Sequence, residues 1–123
     1  MKIQKHQDLL VWQKAMDTAM LVFQVTNTFP VQERYSLTDQ MRRASRSVAA
    51  QISEAWRRRR YRAAFVNKLN EAEGEAAEMQ THIEIARRCG YLSDSTAADL
   101  DLAYEEILSM LVSMSSHPDK WCP

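Results

Sequence analysis

Apolar residues recur along this chain at alternating steps of three and four, the spacing that brings side chains to one side of an α-helix. The cleanest run is Phe65, Leu69, Ala72, Ala76, Met79, Ile83 and Ala86. It predicts a helix ended by Gly90 as a left-handed cap, with Arg87 and Arg88 well placed near the negative end of the dipole. A second stripe, Leu37, Met41, Ala44, Val48, Ile52 and Ala55, follows Ser36-Leu37-Thr38-Asp39. That tetrapeptide can cap a helix start through its serine hydroxyl and aspartate carboxylate. Ahead of it, a helix is predicted from an N-cap at Asp8, burying Trp12, Ala15, Ala19, Val22, Phe23 and Thr26. Pro30 ends that helix, because the residue before a proline is pushed out of the helical region. The cluster Ser93-Asp94-Ser95-Thr96 opens a fourth, whose stripe is Leu100, Tyr104 beside Ala103, Ile107, Leu111 and Met114.

Four helices of about 20 residues, roughly 30 Å each, joined by short connections, pack antiparallel. The expected fold is all-α: an antiparallel up-down four-helix bundle over residues 1–116, followed by a loosely ordered tail over 117–123. Two glycines and three prolines are too few for the turns of a β-sandwich or a doubly wound sheet. Gly74, in the middle of the third helix, suggests a place where another helix approaches closely.

Charge changes this picture most. The formal net charge is zero, yet the segment from Arg42 to Arg62 holds eight arginines and one acid, Glu54. From Ala63 to Leu108 the balance inverts, with Lys68, Arg87 and Arg88 facing ten acids. A polarised molecule of this kind has a face for anionic partners. Measured from the second stripe, Arg42, Arg46, Arg57 and Arg60 fall on the solvent side, whereas Arg59 would point inward in a regular helix. An unpaired buried guanidinium is too costly for that, so the helix is expected to end near Arg57–Arg60 and project its basic cluster. Arginine forks hold phosphate oxygens in bidentate fashion, and Trp56 and Tyr61 offer stacking surfaces beside them. Arg42, Arg46, Arg57, Arg58, Arg59, Arg60 and Arg62 are therefore candidate nucleic-acid contacts. The other reading is a solvated ridge, or one paired with Glu71, Glu75 and Glu78 or with a neighbouring subunit. Ser47, Ala50 and Ser53 are small residues at or outside the margin of the stripe, where a second copy of the chain can come close.

Signatures of catalysis are missing. The chain has no glycine-rich phosphate loop, nucleophile elbow or zinc-protease motif, and Glu78 with His82 reads as a surface contact. Cys89 and Cys122 stand apart without ligand spacing, so no metal or cofactor is expected. The N-terminal residues lack an apolar signal region and no run is long enough to span a membrane, which places the expected protein in the cytoplasm.

Asp8-Leu9 with Val11-Trp12-Gln13-Lys14-Ala15, Phe29-Pro30 with Glu33, and Gln40-Met41-Arg42-Arg43-Ala44 are similar to segments of a known bacterial family. Ser47-Val48, Ile52-Ser53-Glu54, and Ala72 with Gly74 and Glu78 extend the likeness to most of the chain. The family comprises the four-helix-bundle proteins encoded within intervening sequences of 23S ribosomal RNA genes, and their relatives. Where the family has Asn-Ile-Ala-Glu-Gly, this chain reads Gln51-Ile52-Ser53-Glu54-Ala55. The resemblance implies a homopentamer with a positively charged surface for RNA or DNA, and supplies no catalytic residues. A distant relative, the accessory protein of diversity-generating retroelements, looks like a pentameric partner of a reverse transcriptase. The expectation is thus a non-enzymatic, homo-oligomeric nucleic-acid-binding bundle without a small-molecule substrate. The alternative is an interaction scaffold or accessory protein that does not touch nucleic acid.

Overall fold

The computed structural model describes residues 2–123. Four helices, α1 (Leu10–Thr26), α2 (Leu37–Arg57), α3 (Arg62–Arg88) and α4 (Asp94–Ser116), carry the fold, with single 3-10 turns at His6–Asp8, Val31–Glu33 and Pro118–Lys120. Each helix packs against its neighbours in the chain, and α4 closes on α1. The arrangement is an up-down four-helix bundle. Its antiparallel register shows in the side-chain contacts: Trp12 meets Ser53 and Phe23 meets Arg42 across α1 and α2, while Gln80 meets Glu105 and Arg87 meets Asp94 across α3 and α4. Among the described residues no helix is long and apolar enough to cross a membrane.

The stripes of α2, α3 and α4 are buried as their periods predict, with Tyr104, Phe65 and Met41 among the largest fully buried side chains. On α2 the buried set widens to Thr38, Ser45, Ala49 and Trp56, because a helix flanked by two others hides more than one stripe. Gly90 adopts φ 79° after α3. The N–H of Tyr91 donates to the carbonyl of Ala86 and that of Gly90 to the carbonyl of Arg87, which satisfies two of the helix's terminal acceptors. Ser93 caps α4 by accepting from the Thr96 N–H at 3.1 Å.

α1 departs from its predicted face. Its buried residues are Val11, Ala15, Thr18, Val22 and Thr26, whereas Trp12 and Ala19 are half-buried and Phe23 is exposed. The helix is apolar on more than one side, so periodicity had two solutions. The threonines decide between them, since both bury their hydroxyls against the helix's own carbonyls, Thr18 on Lys14 and Thr26 on Val22. Two expected caps are also absent. Asp8 serves the 3-10 turn before α1, its carboxylate accepting from the N–H groups of Gln4 and Lys5, and Leu9 occupies the cap position. Ser36 makes no side-chain cap; Glu33 accepts from the Leu37 N–H, and Asp39 is taken by Arg43. Gly74 lies on an open face, where an added Cβ would meet nothing within 4 Å. No helix of this chain approaches it.

The segment expected to be loosely ordered forms the turn Pro118–Lys120, with the N–H groups of Trp121 and Cys122 donating to Pro118. Trp121 and Cys122 pack against the core. The antiparallel order brings three segments to one end of the bundle: the residues before α1, the α2–α3 turn and this tail. The turns holding Glu33 and Tyr91 lie at the other end, where the Tyr91 hydroxyl donates to Glu33 at 2.8 Å.

Candidate nucleic-acid interface

Eight arginines between Arg42 and Arg62 separate into two groups. Three have partners within the chain. Arg42 donates to the Thr26 hydroxyl at 2.9 Å and to Asn27 Oδ1 at 3.0 Å, and its guanidinium lies over the Phe23 ring, 4.6 Å from the centroid. It is a clamp between α1 and α2. Arg43 pairs with Asp39 at 2.9 Å, one turn earlier on α2, and Arg62 pairs with Asp119 of the tail. The remaining five, Arg46, Arg57, Arg58, Arg59 and Arg60, make no ion pair among the described residues. Arg46, Arg57, Arg58 and Arg60 are exposed.

Most acids of α2 and α3 are engaged elsewhere. Glu54 and Glu71 share the Lys68 ammonium, each at 3.0 Å, and together raise its pKa. Glu78 pairs with His82 at 3.1 Å. Glu84 holds both Arg87 and Arg88 at 2.8 Å, and those two cations depress its carboxyl to about 2. Glu75 is raised, first by burial and then by the charge of Glu78, with the neighbouring His82 opposing the shift. These groups line the α2–α3 groove and the far end of α3. Intrachain pairing of the ridge with Glu71, Glu75 and Glu78 therefore does not occur.

α2 ends at Arg57 because Arg58–Arg60 turn the chain toward α3, which spares Arg59 the buried position a regular helix would give it. Its guanidinium stacks on the ring of Trp56, 3.4 Å from the centroid, and its Nη1 is buried without a hydrogen-bond partner among the described residues. Burial pushes the Arg59 pKa down, Cys122 opposes that shift and Arg57 adds to it. A half-buried cation without a carboxylate, beside further cations, is an electrostatic demand for an anion. Trp56, expected as an open stacking surface, is buried and holds Arg59, whereas Tyr61 is 64% exposed at the turn.

The three small residues of α2 do not share one face. Ser53 accepts from the Trp12 indole N–H at 3.1 Å and donates to the Ala49 carbonyl. Ser47 sits on the α3 side against Glu75, and Ala50 is exposed on the outer side of α2. Sequence reasoning missed the outward apolar residues of α1, Met16, Met20 and Phe23, of which Met20 is 53% exposed. The signal was present, since these residues lie on the side of α1 that its buried stripe leaves uncovered.

The model of the 23S rRNA-intervening sequence protein family matches residues 7–113. The chain belongs to that family. A solved structure with the same fold is a protein of unknown function from the S23 ribosomal protein family of Bacteroides thetaiotaomicron VPI-5482, 26% identical over 87% of this chain and 96% of that one, with a TM-score of 0.79. No curated protein matches. In this family member the segments that carry the resemblance fall on α1, α2 and α3 and on the turns before α1 and between α1 and α2, and among their residues Trp12, Ser53 and Arg42 join α1 to α2.

Proposed function

We propose that the protein is a non-enzymatic, oligomeric bundle that binds RNA or DNA by its phosphates, through Arg46, Arg57, Arg58, Arg59 and Arg60. The observation that carries this reading is the five-arginine group without a carboxylate partner among the described residues, although the chain holds as many acids as lysines and arginines. Exposed arginines at one bundle end and along the adjoining ridge suit a polyanion whose charges are spaced along a strand. Arg42, engaged by Thr26 and Asn27 toward the other end of α2, and Arg62, neutralised by Asp119, stand outside this group. Anisotropy titrations with structured RNA and with duplex DNA, at low and at moderate salt, test the reading. Saturable binding that weakens steeply with salt is expected, and no binding to either at low salt would overturn it.

A second reading is supported by Met16, Met20 and Phe23. An apolar strip exposed beside cations suits a protein contact, and a head-to-tail contact between copies would set the basic ridge against the acidic helices of the next subunit. On this reading the protein is an oligomeric scaffold or accessory factor. Arg57→Ala with Arg60→Ala separates the two: a nucleic-acid protein loses affinity for its strand, whereas a scaffold loses assembly.

A further inference from the structure

Two clefts meet at the end of the bundle where the tail folds back. The larger, about 400 Å³, is lined by Ile3, Trp56, Arg59, Lys120, Trp121 and Cys122 together with Pro123. The smaller, about 280 Å³, is lined by Gln4, Trp56, Arg57, Arg59, Arg60 and again Pro123. They share Trp56, Arg59 and Pro123, so Arg59 borders both.

Three features make this junction different from an exposed basic ridge. Arg59 is held in place by its stack on Trp56, which removes much of the entropy a free arginine loses on binding. Its buried Nη1 has hydrogens to donate and no acceptor among the described residues. Arg57, Arg60 and Lys120 bring three more positive charges to the same walls, and Asp119, the one acidic side chain of residues 117–123, is committed to Arg62. Each phosphodiester carries one negative charge, whereas a phosphate monoester carries nearly two at neutral pH and offers three acceptor oxygens. The larger cleft has an aromatic wall, Trp121, and room for one nucleoside.

We propose that these joined clefts hold the phosphate-bearing end of a single nucleic-acid strand, with the terminal phosphate on Arg59 between Arg57 and Arg60 and its nucleoside against Trp121. This rests on the nucleic-acid reading above and narrows it from phosphates in general to a terminal phosphate monoester. Arg46 and Arg58, which line neither cleft, would follow the rest of the strand.

The test is competition. A fluorescent single-stranded RNA bound to the full chain is displaced by unlabelled strands of one sequence ending in hydroxyls, in a 5′-phosphate or in a 3′-phosphate. At least one phosphate-ended strand should compete about 10-fold better than the hydroxyl strand, the size of one or two charge-assisted hydrogen bonds. Arg59→Gln should erase that preference, and Arg58→Gln should weaken all three strands while keeping it. Should Arg59→Gln lose helicity, Arg57→Gln with Arg60→Gln leaves the Trp56 stack intact and should erase the preference equally. Equal competition by all three strands would overturn the site while leaving nucleic-acid binding standing. If no strand binds, tryptophan fluorescence with a nucleoside monophosphate decides: a saturable change lost in Arg59→Gln upholds the site alone, and no change overturns it.

Discussion

Arginine identity alone does not assign arginine function here; what each guanidinium touches does. Arg42, bonded to Thr26 and Asn27 and stacked on Phe23, is a structural cation. Arg42→Ala should cost about 1–2 kcal/mol in urea unfolding through removal of the hydrogen bonds and the stack. Arg46→Ala, at an exposed position without partners, should stay within about 0.5 kcal/mol. Equal effects would show that the two side chains are not distinguished as described. Tyr104 poses the opposite problem: it is fully buried and its hydroxyl has no partner, so desolvation pushes its pKa up. Tyr104→Phe should leave the thermal midpoint unchanged or raise it, since it removes a buried polar group that forms no hydrogen bond. A clear fall in the midpoint would mean that the hydroxyl is satisfied in solution.

Among the elements, the two glycines of α3 and its C-terminus should respond to substitution in opposite ways. Gly90 needs φ 79°, so Gly90→Ala should destabilise by about 1 kcal/mol, while Gly74→Ala, on an open helical face, should stabilise by about 0.4–1 kcal/mol. Thermal melts of the two variants should move in opposite directions. Glu84 adds a pH dependence to the end of α3. Its folded pKa of about 2 lies below the ordinary 4.5, so its stabilising contribution is complete above 4.5 and is lost as pH falls through about 2. Glu84→Gln should flatten that part of the acid-unfolding profile, and an unchanged profile would contradict the pairing with Arg87 and Arg88. The stripes of α2 and α3 were legible because their remaining positions are mostly polar, and that of α4 because Leu100, Tyr104, Ile107, Leu111 and Met114 keep steps of four and three despite Leu102 and Val112 outside them. α1 was not, because apolar residues surround much of it, and only the packing of Thr18 and Thr26 selects the inward side. The basic cluster was legible as charge, and the α2 end near Arg57 followed from the cost of burying Arg59. Neither the Arg59–Trp56 stack nor the Arg42 clamp was, since both depend on neighbours whose relative positions only the fold sets.

The whole molecule joins a neutral total charge to a divided surface, with an unpaired basic end and ridge and acids spread over α3 and α4. Two contacts eleven residues apart on both helices, Trp12 with Ser53 and Phe23 with Arg42, hold α1 against α2. They leave Met16, Met20 and Phe23 exposed on α1 and Ala50 and Arg46 on the outer side of α2. Assembly through this region predicts that Ala50→Glu lowers the mass seen by light scattering without loss of helicity, because a charge would be desolvated at the contact. A monomer for the unmodified protein at micromolar concentration would contradict oligomer formation. The central claim is that the unpaired arginines bind phosphates, and the salt dependence of binding tests it most directly. The slope of log K against log salt for single-stranded RNA should become shallower when Arg46, Arg57, Arg58 and Arg60 are all changed to Gln, by roughly 0.7 for each phosphate that is no longer neutralised. An unchanged slope, with affinity also unchanged, would contradict it.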